Sequence, residues 1–371
     1  MTGTTVPPEL AWLQALREPG LVQGWDLARW EHVIRIARRL RLLGRLANAV
    51  DAAGLMPKVP AQPARHLQAE MQYARWRSGG LAWVLERLPD MLGGVSYPLV
   101  LLKGAAYMGQ GLSIGLGRLP SDVDILVPRE HIADAQARLL AAGWEEADMD
   151  AHDQKYYREW SHELPPLRHP LHGLELDLHH NILPPVARTH VDASLLLARL
   201  QPSQWPSWQV LAPTDQVLHS AAHLFHDSEL RDRLRDLVDL DGLLRHFGAA
   251  PAFWAGLVPR ASALGLHESL ALALHFCTQW LGTPVPPAVM AAAQARGLSR
   301  AWALWLLPLL EAALWPADPD GLPPRRQAVA AQVLLVRHHL GRMPLGMLLP
   351  HLWHKIRAGN DSGAQATDPT R

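Results

Sequence analysis

Two acidic residues separated by a single position are the first candidates for chemistry. Asp122 and Asp124 flank Val123 at the start of an apolar run that continues to Val127. Successive side chains of a strand point to opposite faces, so both carboxylates project to one face while the apolar side chains enter the core. The pattern is also typical of an edge-strand pair that faces solvent.

Two carboxylates that project together repel each other unless a cation lies between them. A hard divalent ion such as magnesium takes carboxylate oxygens and keeps positions for water and phosphate oxygens. Asp177 lies in the alternating segment from Leu174 to His180, with Glu175 and His179 on its face. If this segment is a neighbouring strand, a third carboxylate reaches the first two, as two-metal phosphoryl transfer requires.

Residues that can bind phosphate precede the aspartates. Lys103 supplies a cation, Gly104 lets backbone approach a phosphate, and a helix that begins there offers unpaired N–H groups. A lysine at the end of a strand is also commonly only solvated. Arg118 is predicted either to contact phosphate or to pair with a carboxylate, because a guanidinium suits both.

Hydrophobic periodicity predicts the elements that position these residues. Helical spacing covers Glu9 to about Leu92 and resumes from Pro213 to about Lys355, and one apolar face and flanking turn residues mark the shorter elements between them. We expect strands at Tyr97–Leu102, Val123–Val127, Tyr156–Trp160 and Leu174–His180, with helices at Ala105–Gln110 and Glu130–Ala142.

Five segments together resemble the uncharacterised nucleotidyltransferase family of the polymerase-β superfamily. The resemblance covers roughly residues 80–250, and the combination is more specific than any one motif. The segments are Leu101–Ala106, Gly117–Val127, His162–Leu167, Glu175–His179 and Pro213–Leu244.

The resemblance implies an α+β fold, in which a small mixed sheet with helices forms a polymerase-β-type nucleotidyltransferase core. We divide the chain into an N-terminal helical region (residues 1–92), this core (93–200), a C-terminal helical domain (201–357) and a disordered tail (358–371). The helical regions are expected to flank the sheet and leave a cleft over the aspartates.

The resemblance also implies a magnesium-dependent site. Catalytic and metal-binding roles fall to Asp122, Asp124 and Asp177, and nucleotide-binding roles to Lys103, Gly104, Arg118, Ser121 and His223. The chain departs from the superfamily at Ala105, which stands where most members have a serine that holds phosphate.

A group of histidines allows a different interpretation. His219, His223 and His226 lie at helical spacing, and His226-Asp227 is similar to the motif of His-Asp metal phosphohydrolases. That interpretation leaves Asp122 and Asp124 unexplained. We therefore expect His223, together with Arg235, to line the nucleotide cleft.

Composition limits the classes of function. Lys+Arg and Asp+Glu are both 35, so no net positive field exists to hold an extended nucleic acid. The single cysteine, Cys277, excludes an intrachain disulfide and fits a cytoplasmic location. The N-terminus lacks the pattern of a secretory signal, and no segment is long and apolar enough to span a bilayer.

The leading hypothesis is transfer of a nucleoside monophosphate from a nucleoside triphosphate to a hydroxyl or amine, with release of pyrophosphate. The acceptor is an unidentified small molecule or protein. The alternative is a catalytically silent nucleotide-binding or scaffold protein on the same fold.

Overall fold

The computed structural model describes residues 8–120, 122–170, 173–316, 321, 323–344, 346–348 and 350. Ser121 and the predicted tail at 358–371 lie outside these residues. Within the described residues, the α-helices are α1 (Leu27–Arg39), α2 (Leu43–Ala52), α3 (Ala61–Met91), α4 (Lys103–Gly109), α5 (Ile132–Ala141), α6 (Ala151–Lys155), α7 (Ala193–Leu197), α8 (Pro213–Phe225), α9 (Leu234–Phe247), α10 (Pro251–Ala263), α11 (His267–Leu281), α12 (Pro287–Gly297), α13 (Arg300–Leu314) and α14 (Arg325–Arg342).

A mixed sheet lies between the N-terminal and C-terminal helices along the chain. Its strands are β1 (Val100–Leu101), β2 (Asp122–Leu126), β3 (Glu145–Glu146), β4 (Leu167–Arg168), β5 (Glu175–His179), β6 (Gln201–Pro202) and β7 (Gln209–Val210). They are arranged in the order β3-β4-β5-β2-β1-β7-β6. The fold is therefore mixed α/β, with one seven-stranded sheet in the part of the chain that the structure describes.

The two longest strands are neighbours at the centre of the sheet. β2 and β5 run parallel, and their register places Asp124 beside Asp177 and Asp122 beside Glu175. β1 pairs antiparallel with the other edge of β2. The apolar side chains of β2 and β5 are fully buried, so period-two alternation fixes which face carries the acids.

One predicted strand is wrong. Residues Tyr156–Trp160 form a π-helical turn that continues α6 instead of a strand. Tyr156 and Trp160 contact each other edge to face, with ring centroids 6.2 Å apart, and Lys155 lies 3.9 Å from Glu159. Both contacts join residues four apart, which a helix brings together and a strand does not. The aromatic residues of this segment are typical of a strand, but the contacts between residues four apart stabilise a helical turn.

Buried ion pairs connect the N-terminal helices to the C-terminal ones. On α9, Asp239 accepts from Arg45 of α2 and, at 3.2 Å, from Nε of Arg118. Its side chain is 4% exposed, and the two arginine side chains are 8% and 10% exposed. Because water reaches these three side chains only slightly, the charge of Asp239 and the charges of the two arginines must neutralise one another.

The hydrophobic core is continuous through all three parts of the chain. Buried apolar residues extend from Leu10 through the sheet to Leu334 and form one cluster. On the sheet, α4 packs against β1 and β2, and α5 packs against β5. The short α4 thereby holds Lys103 at the carboxyl end of β1, close to the acidic face of β2.

No helix among the described residues has the length and apolar character that a membrane crossing requires.

We predict that Asp239→Asn destabilises the protein strongly. Loss of this carboxylate leaves the guanidinium groups of Arg45 and Arg118 buried without a countercharge, at a cost of about 3 to 5 kcal/mol in the free energy of unfolding. Urea denaturation measures the change. Glu159→Gln is the control, because it removes an exposed pair with Lys155 and should change stability by less than about 1 kcal/mol. Equal effects of the two substitutions would contradict the prediction.

Candidate functional site

Two strands bring an acidic pair together at the centre of the sheet. Asp124 and Asp177 are register partners on β2 and β5. One oxygen of each carboxylate and one ring nitrogen of His179 lie within 4.8 Å of one another, so these three side chains have the spacing of metal ligands. The structure thus brings together two of the three carboxylates that the sequence indicated.

Asp124 is buried and is compensated by two partners. Lys103 Nζ donates to its Oδ1 at 2.7 Å, and His179 Nε2 lies 3.1 Å from the same oxygen. Burial alone would raise the pKa of Asp124, but Lys103 and the hydrogen bond from His179 lower it well below its ordinary value. Asp124 is therefore an anion within a charged cluster.

The ionised form of Asp177 is destabilised by burial and by the neighbouring carboxylates. Burial and then the negative charges of Asp124 and Glu163 raise its pKa from 3.8 to about 7. The sequence indicated that neighbouring carboxylates repel each other unless a cation lies between them, and Lys103 and His179 compensate Asp124 in this way. The repulsion falls on Asp177, which is the group in need of a further cation.

The backbone at the start of α4 is held in an unusual conformation. Lys103 has φ of +44°, a left-handed value that few residues other than glycine adopt. Its ammonium retains a pKa raised to about 12, because the attraction of Asp124 outweighs the effect of burial. Strain of this kind persists only where surrounding contacts enforce it, and the Asp124 pair is one such contact.

Gly104 lies against Arg118, a contact that the sequence did not indicate. A Cβ atom there would lie 2.2 Å from Nη1 of Arg118, so the guanidinium occupies the space that a side chain would need. Of the two alternatives for Arg118, the structure shows the ion pair, and the partner is Asp239 on α9. Attraction to that carboxylate raises the pKa of Arg118 despite its burial.

A cation-rich cavity of about 410 Å³ lies beside the acidic pair, and Asp122 lines it. Asp122 is half-buried at the start of β2 and is absent from the cluster of Asp124, Asp177 and His179. We name this space the arginine cavity. Its charged lining comprises Arg39, Arg41, Lys103, Arg118, Arg231, Arg233, Arg235, Asp122, Glu229, Asp232, Asp236 and Asp239.

A second cavity, of about 560 Å³, adjoins the first and contains several aromatic groups. We name it the tryptophan cavity, after Trp302 and Trp305 in its wall. Lys103 and His223 line both cavities, so they lie where the two spaces meet. The helix α8 therefore packs close to the acidic pair, and burial followed by the charge of Lys103 lowers the pKa of His223 well below its ordinary value.

The alternative based on α8 as a metal site receives no support from the geometry. Among the described residues, neither group with metal-ligand spacing includes His219, His223 or His226. Asp227 pairs with Arg233, and the backbone carbonyl of His226 accepts from His338 at 2.7 Å. These partners differ from those of a His-Asp phosphohydrolase centre.

The sequence indicated His179, Glu163 and His162 without assigning any of them a role. His179 shares the face of Asp177 by period-two alternation, and that signal was sufficient to place it beside the acidic pair. His162 and Glu163 precede a short loop, and an isolated bridge between Glu163 and His179 brings them alongside β5. No local sequence pattern predicts an isolated bridge of this kind.

A sequence model of a family described as uncharacterised nucleotidyltransferase matches residues 26–282. The match spans the sheet, the helices from α1 to α11 and every residue of the acidic cluster. No curated protein and no solved structure was found to match the chain.

We predict a pH-dependent effect of Asp177→Asn on the metal-free protein. Asp177 binds its proton more tightly in the folded protein than in the unfolded chain. Its ionisation therefore lowers the free energy of unfolding, an effect that is absent below about pH 4 and grows as the pH rises to about 7. The substitution should raise the free energy of unfolding by about 2 kcal/mol at pH 8 and leave it nearly unchanged at pH 4.

Urea denaturation at both pH values, in the presence of a chelator, measures this difference. Glu175→Gln is the matched control on the same strand, where the side chain is 35% exposed and pairs with Arg168. It should change stability by less than about 1 kcal/mol at either pH. A gain for Asp177→Asn that is equal at pH 4 and pH 8 would contradict the assignment of the buried charge.

Proposed function

The chain belongs to the uncharacterised nucleotidyltransferase family, and from this premise we propose a specific reaction. The protein transfers a nucleoside monophosphate from a nucleoside triphosphate to a hydroxyl or amine of an acceptor and releases pyrophosphate. The observation that carries the proposal is the register of β2 and β5, which sets Asp124 beside Asp177. This pair adjoins a cavity rich in arginine.

The donor set fits magnesium. Carboxylate oxygens of Asp122, Asp124 and Asp177 are the hard ligands that this ion prefers, and the pKa of Asp177, raised by burial and by Asp124, indicates a deficit of positive charge. Magnesium, when bound, would supply charge stabilisation for the phosphate oxygens. We assign these three aspartates as its ligands and as the catalytic carboxylates.

We assign the arginine cavity to the phosphates of the nucleotide. The charged lining contains seven cationic and five acidic side chains, several of which pair with one another, and guanidinium groups are well suited to phosphate. Nη1 of Arg235 is buried without a hydrogen-bond partner among the described residues, although its Nε donates to Asp236 at 3.3 Å. A buried donor of this kind gains free energy when it meets an anionic oxygen.

Five further residues contribute to the nucleotide site in this proposal. The ammonium of Lys103 lies where both cavities meet and can donate to a phosphate oxygen at that point. His223 is held neutral by burial, which lowers its pKa, and can accept or donate one hydrogen bond. Arg118 and Gly104 maintain the wall through their mutual contact, and Ser121, outside the described residues, keeps its predicted contact with the nucleotide.

The tryptophan cavity is our candidate for the acceptor. It opens beside Lys103 and His223, and its wall combines apolar groups such as Phe225 and Trp302 with the cations Arg188, Arg337 and Arg342. This lining suits a small molecule or a protein segment, rather than an extended nucleic acid, which needs a long basic surface. The polymerase-β type of core, the three-part division of the chain and the cytoplasmic location remain part of this proposal.

One observation favours the silent alternative. The ammonium of Lys103 already donates to Asp124 Oδ1 at 2.7 Å, so an internal cation holds an oxygen that a metal would need. A protein that binds the triphosphate in the arginine cavity without turnover accounts equally for the positive lining. Binding and turnover therefore have to be measured separately.

The experiment is incubation of the full-length protein with each labelled nucleoside triphosphate, magnesium and a cell extract. We expect one triphosphate to yield a labelled acceptor and an equal amount of pyrophosphate. Calorimetry with the same triphosphate measures binding alone. Binding without pyrophosphate release in any extract would favour the silent alternative, and absence of binding would refute both.

We predict that Asp177→Asn reduces transfer by about a hundredfold or more, since loss of a carboxylate from a two-metal site removes several kcal/mol of stabilisation. Asp177 is a better test than Asp124, because Asp124→Asn would also leave Lys103 and His179 without their buried partner. Magnesium-dependent pyrophosphate release is the measurement. Glu175→Gln should retain transfer within about twofold, as expected of an exposed pair, and full activity of Asp177→Asn would sink the mechanism.

We predict that Arg235→Gln weakens triphosphate binding by about tenfold, which corresponds to about 1.4 kcal/mol and to one charge-assisted hydrogen bond. Calorimetry with the triphosphate measures the dissociation constant. Arg87→Gln removes the same charge from α3, where the guanidinium stacks over Trp83, and should leave binding unchanged. An equal loss in both variants would indicate only a general field effect.

A further inference from the structure

Three side chains outside the aspartate set converge on one point. His162, Glu163 and His179 each place a possible ligand atom within 4.8 Å of the other two. Glu163 Oε2 lies 3.4 Å from Nδ1 of His179 and 3.8 Å from Nε2 of His162. Ligands of a tetrahedral cation with bonds of about 2.0 Å are about 3.3 Å apart, so shifts of a few tenths of an ångström bring Glu163 and His179 into range.

One buried nitrogen that faces Glu163, Nδ1 of His179, has no hydrogen-bond partner among the described residues. Nδ1 of His162 has none either, but the nitrogen of that ring that lies near Glu163 is Nε2. The side chain of His179 is 2% exposed, so water does not compensate its nitrogen, and the contact with Glu163 lacks hydrogen-bond geometry. A buried polar atom that has no partner is costly unless a ligand completes the site.

The other ring nitrogen of His179 is already held. Nε2 lies 3.1 Å from Oδ1 of Asp124, which is itself fixed by Lys103. Histidines that bind metals commonly donate their second ring N–H to a carboxylate, which orients the ring towards the ion. Asp124 has this relation to His179, so the ring presents Nδ1 to Glu163 and His162.

The donor atoms select a borderline-soft cation. Two imidazoles and one carboxylate suit zinc and its first-row neighbours, whereas magnesium prefers oxygen ligands throughout. Burial lowers the pKa of His162 well below its ordinary value, so its imidazole is neutral and has a lone pair to offer. Nε2 of His179 is held by Asp124, so Nδ1 is the ring nitrogen that a metal can take.

We propose that His162, Glu163 and His179 form a site for a divalent transition-metal ion, best matched by zinc, in the wall of the tryptophan cavity. His162 and Glu163 line that cavity, and His179 lies behind them, so the remaining coordination position faces the cavity. Water or an anionic group of a molecule in the cavity completes the coordination. The site shares His179 with the cluster of Asp124 and Asp177 but uses none of the three aspartates as a ligand, and it does not depend on nucleotidyl transfer.

The test is zinc binding to the full-length protein after removal of metal with a chelator. Competition with a chromophoric chelator measures stoichiometry and affinity, and cobalt substitution reports tetrahedral geometry through the intensity of its visible absorption. We expect one zinc per chain. His162→Gln and Glu163→Gln should each weaken binding by about a hundredfold or more, since even supporting residues of metal sites contribute 10- to 100-fold.

Two controls separate this site from its surroundings. His226→Gln removes a histidine from the same cavity wall, outside the cluster, and should leave zinc affinity unchanged. Asp177→Asn should also retain zinc. Loss of zinc in Asp177→Asn but not in His162→Gln would place the ion between the aspartates and overturn the proposal, and so would the absence of stoichiometric zinc in the wild type.

X-ray absorption at the zinc edge of the wild-type protein keeps the test independent of how the variants fold. Two imidazole ligands and additional oxygen ligands support the site. A spectrum with oxygen ligands alone, or with one imidazole, refutes it. Melting temperatures of the metal-free variants, measured in parallel, show whether a lost affinity reflects a lost ligand or a lost fold.

Discussion

The ion pair between Lys103 and Asp124 sets the electrostatics of the whole site. It joins the start of α4 to the middle of β2 across 2.7 Å, with both groups largely removed from water. Because the ammonium and His179 compensate Asp124, this aspartate stays ionised, and the excess negative charge is left on Asp177. The left-handed backbone of Lys103 is the local cost of this arrangement, and it places the ammonium where both cavities meet.

Helices far apart in sequence build the walls around this pair. Arg45 of α2 and Arg118, in the loop before β2, both bind Asp239 of α9, and the guanidinium of Arg118 lies against Gly104. A single buried carboxylate on α9 thus holds the wall of the arginine cavity, the N-terminal helices and the turn at Lys103 in one arrangement. Such a network is costly to break, because each charge has few alternative partners in a poorly hydrated interior. Arg118 and Asp239 both line the arginine cavity, so this network helps to fix its shape.

Much of the central sheet followed from the sequence. Alternation between apolar and acidic residues predicted β2 and β5 and the common face of Asp122 and Asp124, since apolar positions of a half-buried strand permit one register only. The same alternation put His179 on the face of Asp177. The predicted strand at Tyr156–Trp160 was wrong. Contacts between residues four apart stabilise a helical turn there, although aromatic residues commonly favour strands. The contact of Gly104 with Arg118 was not predicted, because sequence spacing does not relate these two residues.

The sequence by itself determined the family, through the match of residues 26–282, and the strands that carry Asp124 and Asp177. The strands follow from the periodicity of consecutive residues, and Lys103 and Gly104 stand at the start of a short helix. Only the tertiary structure decided which carboxylate is compensated, which arginine pairs with Asp239, and that His162 and Glu163 meet His179. These outcomes depend on contacts across tens to hundreds of positions and on burial, which sets how strongly each charge is felt. The charge states and contacts of the site therefore depend on residues from several distant segments, whereas the strand motif fixes only the positions of the aspartates.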